Sequence, residues 1–206
     1  GDDPGAVSNA GTAYVFDAST GNLTWTLNNP SPASADRFGG NLAVSGNKAV
    51  IGATSAGNVG EVYVFDTSTG NLITTLYSPN PVNGDQFGSS VDILGDIVAV
   101  GAEYADPGAI NAAGSAYVFD LNSGNVIATP INPAPADSDQ FGASIALFNT
   151  GVIVGADNDD PGAILNAGTV YMYSLPHKTL ENPDPTTQDY FGQTVAASGN
   201  YVAIGA

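Results

Sequence analysis

Three short sequence signatures recur four times along the chain at nearly constant spacing. A Phe-Gly pair is followed 14 residues later by a Gly-Ala pair, and an aromatic segment accompanies each set. The Phe-Gly pairs begin at Phe38, Phe87, Phe141 and Phe191, the Gly-Ala pairs at Gly52, Gly101, Gly155 and Gly205, and the aromatic segments at Tyr14, Tyr63, Tyr117 and Tyr171. A period of about 50 residues that holds several short strands is typical of radial or linear repeat architectures. We therefore expect one continuous all-β domain over residues 1–206.

The composition supports a packed fold rich in turns and excludes several functional classes. Hydrophobic residues make up 43 % of the chain, which also contains 26 glycines, 13 prolines and no cysteine. Disulfides and thiolate metal sites are therefore excluded. Because 20 acidic residues face only 3 lysines and arginines, the formal charge is -17. Nucleic acid and anionic membranes are poor partners for such a chain, and no apolar run is long enough to predict insertion into a membrane.

The sequence of one repeat predicts four antiparallel strands. Ser144 to Phe148 and Val152 to Ala156 are apolar runs on either side of a polar turn, which predicts a hairpin. Ser115 to Asp120 is apolar on both faces, and a Gly-containing turn leads from it to a fourth strand near Val126 to Thr129. Four strands with both faces covered by neighbouring units predict a β-propeller blade. A linear solenoid is the competing architecture, but the polar caps that it needs are absent.

The two ends of the chain look complementary. Counting from Phe191 through Ala206 and on from Gly1 to Phe38 gives 53 residues, close to the intervals of 49, 54 and 50 between successive Phe-Gly pairs. The last strand pair is therefore predicted to join the first strand pair in one composite blade. Pairing within one molecule would close a ring of four antiparallel four-stranded blades, whereas pairing between molecules would give a strand-exchanged oligomer or filament.

These combined signatures resemble the FG-GAP repeat of integrin α-subunit propellers and of bacterial surface and secreted proteins. The resemblance covers all four repeats and implies an extracellular adhesion or ligand-binding propeller, often loaded with calcium. Calcium-binding members carry an Asp-x-Asp-x-Asp-Gly loop between the first two strands of a blade. The corresponding turns here are Ser45-Gly46-Asn47, Leu94-Gly95-Asp96, Asn149-Thr150-Gly151 and Ser198-Gly199-Asn200, so that calcium site is not carried over.

Antiparallel strand order predicts that most acids lie on one face of the domain. This loop face consists of the loops between second and third strands together with the links from one repeat to the next. It should receive 13 of the 20 acids. They are Asp2, Asp3, Asp36, Asp85, Glu103, Asp106, Asp137, Asp139, Asp157, Asp159, Asp160, Asp184 and Asp189.

The best metal candidate on the loop face is the run Asp157-Asn158-Asp159-Asp160. Carboxylate and amide oxygens are the ligands that calcium prefers, so Ca²⁺ is the expected ion. Asp2, Asp3 and Asp106 complete the predicted ligand set, because three of these loops share Asp-Pro-Gly-Ala. The alternative is that Asp3, Asp106 and Asp160 only stabilise turns by accepting backbone hydrogen bonds.

Other residues of interest have structural interpretations. Asp36, Asp85, Asp139 and Asp189 each precede a Phe-Gly pair by two residues, and we expect them to anchor the links between repeats by accepting backbone N–H bonds. Trp25 is expected to pack, with sugar stacking as the alternative. The single histidine, His177, is expected in an exposed turn, so a Ser-His-Asp site has no convincing place to form.

Three hypotheses for function follow. The first is a non-enzymatic, extracellular binding or adhesion module whose acidic face meets calcium, a cationic protein or a glycan. The second is a structural subunit of a surface filament or oligomer that self-associates through its terminal strands. The third is a carbohydrate-active enzyme that uses a pair of carboxylates.

Overall fold

The computed structural model of the chain describes residues 7–174 and 178–206, and almost all of its regular structure is β-strand. A first hairpin comprises β1 (Thr12–Phe16) and β2 (Leu23–Asn28). Three four-stranded sheets follow: β3 (Phe38–Ser45), β4 (Lys48–Ala53), β5 (Glu61–Asp66) and β6 (Leu72–Tyr77); β7 (Ser90–Leu94), β8 (Ile97–Ala102), β9 (Ser115–Asp120) and β10 (Asn125–Ala128); β11 (Phe141–Phe148), β12 (Gly151–Ala156), β13 (Thr169–Tyr173) and β14 (Lys178–Leu180). A second hairpin comprises β15 (Thr194–Ser198) and β16 (Tyr201–Gly205).

Each four-stranded sheet is an antiparallel meander in chain order, as the repeat predicts. The third strand of the second sheet has the predicted bounds, Ser115–Asp120, and the fourth strand begins at Asn125 rather than near Val126. Single 3₁₀ turns occur in the loops between second and third strands, at Ala56–Asn58, Pro107–Ala109 and Pro161–Ala163. The all-β prediction is confirmed.

The hydrophobic core lies in layers between successive sheets. Val62 and Val64 of β5 belong to the same buried cluster as Phe87, Tyr117 and Phe119 of the next repeat. On the opposite face of β9, Ala116 and Val118 pack with Phe141 and Tyr171 of the repeat that follows. β5 and β9 are therefore buried on both faces, as their uniformly apolar sequence predicts.

Each Phe-Gly pair joins its repeat to the one before through the backbone. The phenylalanine N–H donates to the carbonyl group that precedes the glycine at the start of the preceding third strand. The four hydrogen bonds run from Phe38 to Ala10 (3.0 Å), Phe87 to Val59 (2.8 Å), Phe141 to Ala113 (2.9 Å) and Phe191 to Ala167 (2.9 Å). Three of the phenylalanine rings also pack on two aromatic rings of their own third strand, with centroids 5.6–6.1 Å apart. The recurrent Phe-Gly is thus a junction between repeats.

The recurrent glycines allow these junctions to close. A Cβ atom at Gly101 would overlap the carbonyl oxygen of Gly142 in the next repeat, and one at Gly114 would overlap the backbone of Phe141. Gly142 also has a φ of +100°, which side chains rarely adopt. The buried Ser90 hydroxyl donates to the same Gly142 carbonyl, at 2.7 Å. Close backbone approach therefore explains why glycine recurs at these positions.

The acids that precede each Phe-Gly pair anchor the links, as the sequence predicts. One carboxylate oxygen of Asp139 accepts the N–H of Ala136 at 2.7 Å and the side-chain amide of Asn132 at 2.9 Å. Asp36 accepts the corresponding groups of Ala33 and Asn29, and Asp189 those of Thr186 and Asn182. Asp85 accepts the N–H of Val82.

The predicted composite blade does not form within the chain. The hairpins β1–β2 and β15–β16 remain separate two-stranded sheets, and no strand pairing joins β16 to β1. A closed ring of four blades requires this pairing, since it would complete the fourth blade. The prediction of a four-bladed ring closed within one molecule is therefore wrong.

We predict that Gly101→Ala destabilises the protein far more than Gly124→Ala. The first substitution forces a methyl group into the junction and should lower the free energy of unfolding by about 3 kcal/mol or more. At Gly124 the added methyl group meets open space, and only its positive φ should cost about 1 kcal/mol. Urea unfolding measures both values; equal losses would contradict the junction's role.

A second prediction concerns the pH dependence that Asp139 imposes on stability. Burial raises its pKa to about 6, although the N–H of Ala136 acts in the opposite direction. Because the folded-state pKa lies above the usual value of 3.8, this group favours folding at low pH. That contribution is lost as the pH rises through about 6.

The test compares the wild type with Asp139→Asn, which cannot titrate but retains an acceptor oxygen. The unfolding free energy of the wild type minus that of the variant should fall between about pH 4 and about pH 6.5. An NMR titration of the Asp139 carboxyl carbon should show a midpoint near 6. A midpoint below the usual aspartate value, or a difference that rises with pH, would show that the carboxylate is favoured by folding.

Candidate functional site

The loops and links of the loop face predicted from strand order lie against one another in the structure. The loops between second and third strands bond directly to the links that follow the fourth strands. Backbone hydrogen bonds of 2.8 Å run from Gly84 to Asn58, from Ser138 to Asn111 and from Gln188 to Leu165, each from N–H to carbonyl. Every such loop is therefore held against the link to the next repeat.

The loop face exposes fewer acids than the sequence suggests. Asp36, Asp85 and Asp139 are only 1–2 % exposed because they anchor the links. The exposed acids of these loops and links, among the residues described, are Asp106, Asp137, Asp160, Glu181 and Asp184. Asp2 and Asp3 lie outside the described residues.

Two of the predicted metal ligands accept hydrogen bonds within turns. One carboxylate oxygen of Asp106 accepts the N–H of Ala112 at 2.7 Å. In the next repeat, Asp160 accepts the N–H of Asn166 at 2.6 Å. Both Asp-Pro-Gly-Ala segments thus follow the turn interpretation, in which the aspartate bonds to nearby backbone.

The other two predicted ligands have different surroundings. Asp159 accepts the hydroxyl hydrogen bond of Tyr171 at 2.8 Å. Asp157 is 9 % exposed, and its Oδ1 atom has no hydrogen-bond partner among the described residues. Nowhere in residues 7–174 and 178–206 do three or more acidic, histidine or cysteine side chains form a group that could hold a metal ion. The run 157–160 therefore does not converge on one point.

Sequence reasoning missed the relation between Asp157 and Glu103. Both residues directly follow a Gly-Ala pair, at the ends of β12 and β8, and Thr54 has the same position after β4. Burial raises the pKa of Glu103, and the negative charge of Asp157 raises it further. Burial also raises the pKa of Asp157. Aligning the residue after each Gly-Ala pair would have brought these two acids together.

The opposite face carries the turns between third and fourth strands. Its acids in these turns bond to backbone groups of their own turns. Asp17, Asp66 and Asp120 accept the N–H of the residue two positions later, at 2.7–3.0 Å. Hydrogen bonds from the hydroxyl and N–H groups of these turns lower the pKa of all three carboxyls. Lys48 pairs with Asp96 at 3.0 Å, which lowers the pKa of Asp96.

A largely apolar cleft of about 370 Å³ lies between the second and third four-stranded sheets. Ile97, Val118, Leu147 and Phe148 are among its lining residues, none of which is charged. Ile97 has the position in β8 that Lys48 has in β4, so the cleft lacks the Lys48–Asp96 ion pair of the preceding junction. This difference explains its apolar character.

Trp25 packs between repeats. Its indole N–H donates to the carbonyl of Thr67 at 2.9 Å, and its ring lies against Gly70 so closely that a Cβ there would overlap it. The expectation of packing is confirmed, and the ring is not presented for sugar stacking. His177 lies outside the described residues.

No helix within the described parts of the chain combines the length and apolar character needed to cross a membrane.

Comparison with solved structures supports the fold. The crystal structure of the computationally designed Ika8 protein matches with a TM-score of 0.59 and 19 % sequence identity, over 96 % of this chain and 50 % of that chain. The chain thus spans about half the length of that structure. No curated protein matches the chain in sequence.

Comparison with protein families identifies the repeat itself. The FG-GAP repeat family matches residues 29–65, 73–119, 134–173 and 177–206. Each matched segment contains one of the Phe-Gly junctions described above. The chain therefore belongs to the FG-GAP repeat family and has a β-propeller-like repeat fold.

Proposed function

We propose that the chain is a non-enzymatic, extracellular binding or adhesion module that presents its loop face to a protein or glycan ligand. The observation that carries this proposal is the contrast between repeated strands and varied loops. The loop after β4 is short, at residues 54–60, whereas those after β8 and β12 cover residues 103–114 and 157–168. Varied loops on a rigid, repeated scaffold are the usual place for ligand recognition.

The chemistry of the loop face favours a partner with basic groups. Asp106, Asp137 and Asp160 are exposed in the same loops and links as Tyr104 and Leu165, whose side chains are 39 % and 59 % exposed. Carboxylates beside exposed aromatic and aliphatic groups suit a protein segment that carries lysine or arginine. Calcium on this face stays a prediction.

The chain's composition supports a non-enzymatic role, because cysteine is absent and His177 is the single histidine. A carbohydrate-active enzyme would need a pair of carboxylates, and Glu103 with Asp157 is the pair to test. Release of reducing sugar from polysaccharides, lost in both Glu103→Gln and Asp157→Asn, would replace the binding proposal with an enzymatic one.

The proposal predicts that binding follows the charge of the loop face. The probe is an immobilised lysine-rich peptide, measured alongside a glycan array. The double variant Asp137→Asn and Asp184→Asn removes two exposed negative charges and should weaken peptide binding about tenfold at low salt. Wild-type binding should itself weaken as salt increases.

The matched control is Thr24→Lys with Asn125→Lys, which changes the net charge equally through exposed residues on fourth strands. It should retain most of the wild-type affinity. Equal weakening in both double variants would show a nonspecific effect of net charge and contradict the proposal. Absence of binding to peptide and glycans alike would also contradict it.

A second candidate function is a structural subunit of a surface filament or oligomer, assembled by strand complementation. Within residues 7–174 and 178–206, no strand pairs with the outer edge of β1 or of β16. Phe16 and Tyr201 on these strands are 59 % and 84 % exposed. The repeat also gives the register: Val50 lies opposite Val64 in the β4–β5 pair, so Ala203 of one copy should lie opposite Val15 of another.

Cross-linking tests this candidate in a chain without native cysteine. Mixing Val15→Cys with Ala203→Cys should yield a disulfide-linked heterodimer under mild oxidation, because paired strands bring Cα atoms within about 6 Å. Tyr201→Cys mixed with Val15→Cys is the out-of-register control and should cross-link less. Equal yields, or a monomeric mass at all concentrations in sedimentation, would rule out strand complementation.

A further inference from the structure

Asp157 is a buried carboxylate with an unsatisfied oxygen. The residue is 9 % exposed, and its Oδ1 atom has no hydrogen-bond partner among the described residues. Burial raises the pKa of this carboxyl, and the backbone N–H groups of Asp157 and Asn158 act in the opposite direction. A buried acceptor left unpaired is costly, so such groups in native proteins usually meet an ion or a water molecule.

A second carboxylate faces the same junction from the neighbouring repeat. Glu103 ends β8 as Asp157 ends β12, and the two strands belong to adjacent sheets. The backbone of Gly142 lies against Ala102, and Phe141 pairs with Ala156, so the residues that follow β8 and β12 lie at one junction. Burial raises the pKa of the Glu103 carboxyl, and the negative charge of Asp157 raises it further. Two partly or fully buried acids thus interact with no basic residue recorded beside them in the described chain.

The neighbouring acids of the loop already have partners. Asp159 accepts from Tyr171, and Asp160 holds the turn at Asn166. The preceding junction cannot form a comparable pair, because Thr54 stands where Glu103 and Asp157 stand later. The unsatisfied oxygen and the pair of charges therefore distinguish one junction, between the second and third four-stranded sheets.

We propose that Glu103 and Asp157 bind one divalent cation, of the calcium type, between these two repeats. Two carboxylates neutralise the charge of one such ion, and calcium accepts water and main-chain carbonyl oxygens as its remaining ligands. The ion would satisfy Oδ1 of Asp157, remove the repulsion between the two acids and join two sheets. This site differs from the sequence-predicted run, since Asp159 and Asp160 are not ligands, and it does not depend on the binding role of the loop face.

Thermal unfolding of the chelator-treated chain, with and without Ca²⁺, tests the proposal, and isothermal titration calorimetry provides the stoichiometry. The melting temperature of the wild type should rise by about 5–10 °C at a calcium concentration about 100 times Kd, with one ion bound. Glu103→Gln and Asp157→Asn should each abolish most of that shift. Without calcium, Asp157→Asn should be at least as stable as the wild type, because it removes a buried charge.

Asp159→Asn and Asp160→Asn are the matched controls, and both should keep the calcium response. No shift and no binding heat in the wild type would overturn the proposal. A shift that persists in Glu103→Gln and Asp157→Asn but disappears in the controls would also overturn it and place the ion in the 157–160 run. Failure of lysine-peptide binding alone would leave this result unchanged, because the thermal readout requires no ligand besides the metal.

Discussion

The close approach of two backbones at each Phe-Gly pair is the constraint on which the rest of the structure depends. The phenylalanine N–H donates to the preceding repeat, and a side chain at the glycine of the preceding Gly-Ala pair would overlap the next Phe-Gly backbone. A Cβ atom would not fit at the glycine of the Gly-Ala pair or at the glycine that precedes the third strand. These two glycines therefore fix the distance between one sheet and the next. The aromatic rings beside the junction then fill the space between sheets.

This arrangement separates the part of the sequence that builds the scaffold from the part that is free to vary. The buried aspartates at the links and the turn-forming aspartates of the opposite face are committed to structure, as their hydrogen bonds show. What remains for recognition is the set of longer loops around Asp106 and Asp160. Function in this chain is therefore best sought where the repeats differ.

The strand pattern could be predicted from the sequence because it depends on short-range information. Alternation in Ser115–Asp120 and the turns around it define β9 with the bounds found in the structure. The anchoring role of Asp139 was also predictable, since an acid at a fixed distance from every Phe-Gly pair implies a task shared by all repeats. Ring closure was not predictable, because it depends on contacts between the first and last hairpins, which the spacing and alternation within one repeat do not specify.

The candidate site likewise combines features set by local sequence with features set by contacts between repeats. The turn role of Asp160 follows from a local motif, whereas the pairing of Glu103 with Asp157 depends on burial and on contact between repeats. The run 157–160 is the metal candidate predicted from the sequence, and three of its four residues form hydrogen bonds with Tyr171, Asn166 and Gln140. Carboxylates that are close in sequence need not bind one ion together, because hydrogen bonds within the loop already occupy some of their oxygens.

Residue-resolved hydrogen exchange of the backbone amides tests the junction most directly. If the Phe-Gly contacts organise the fold, the N–H groups of Phe87 and Phe141 should exchange as slowly as those of the central strands and open only in global unfolding. Exchange of these two amides at rates typical of the exposed loops, while the strands stay protected, would contradict the account.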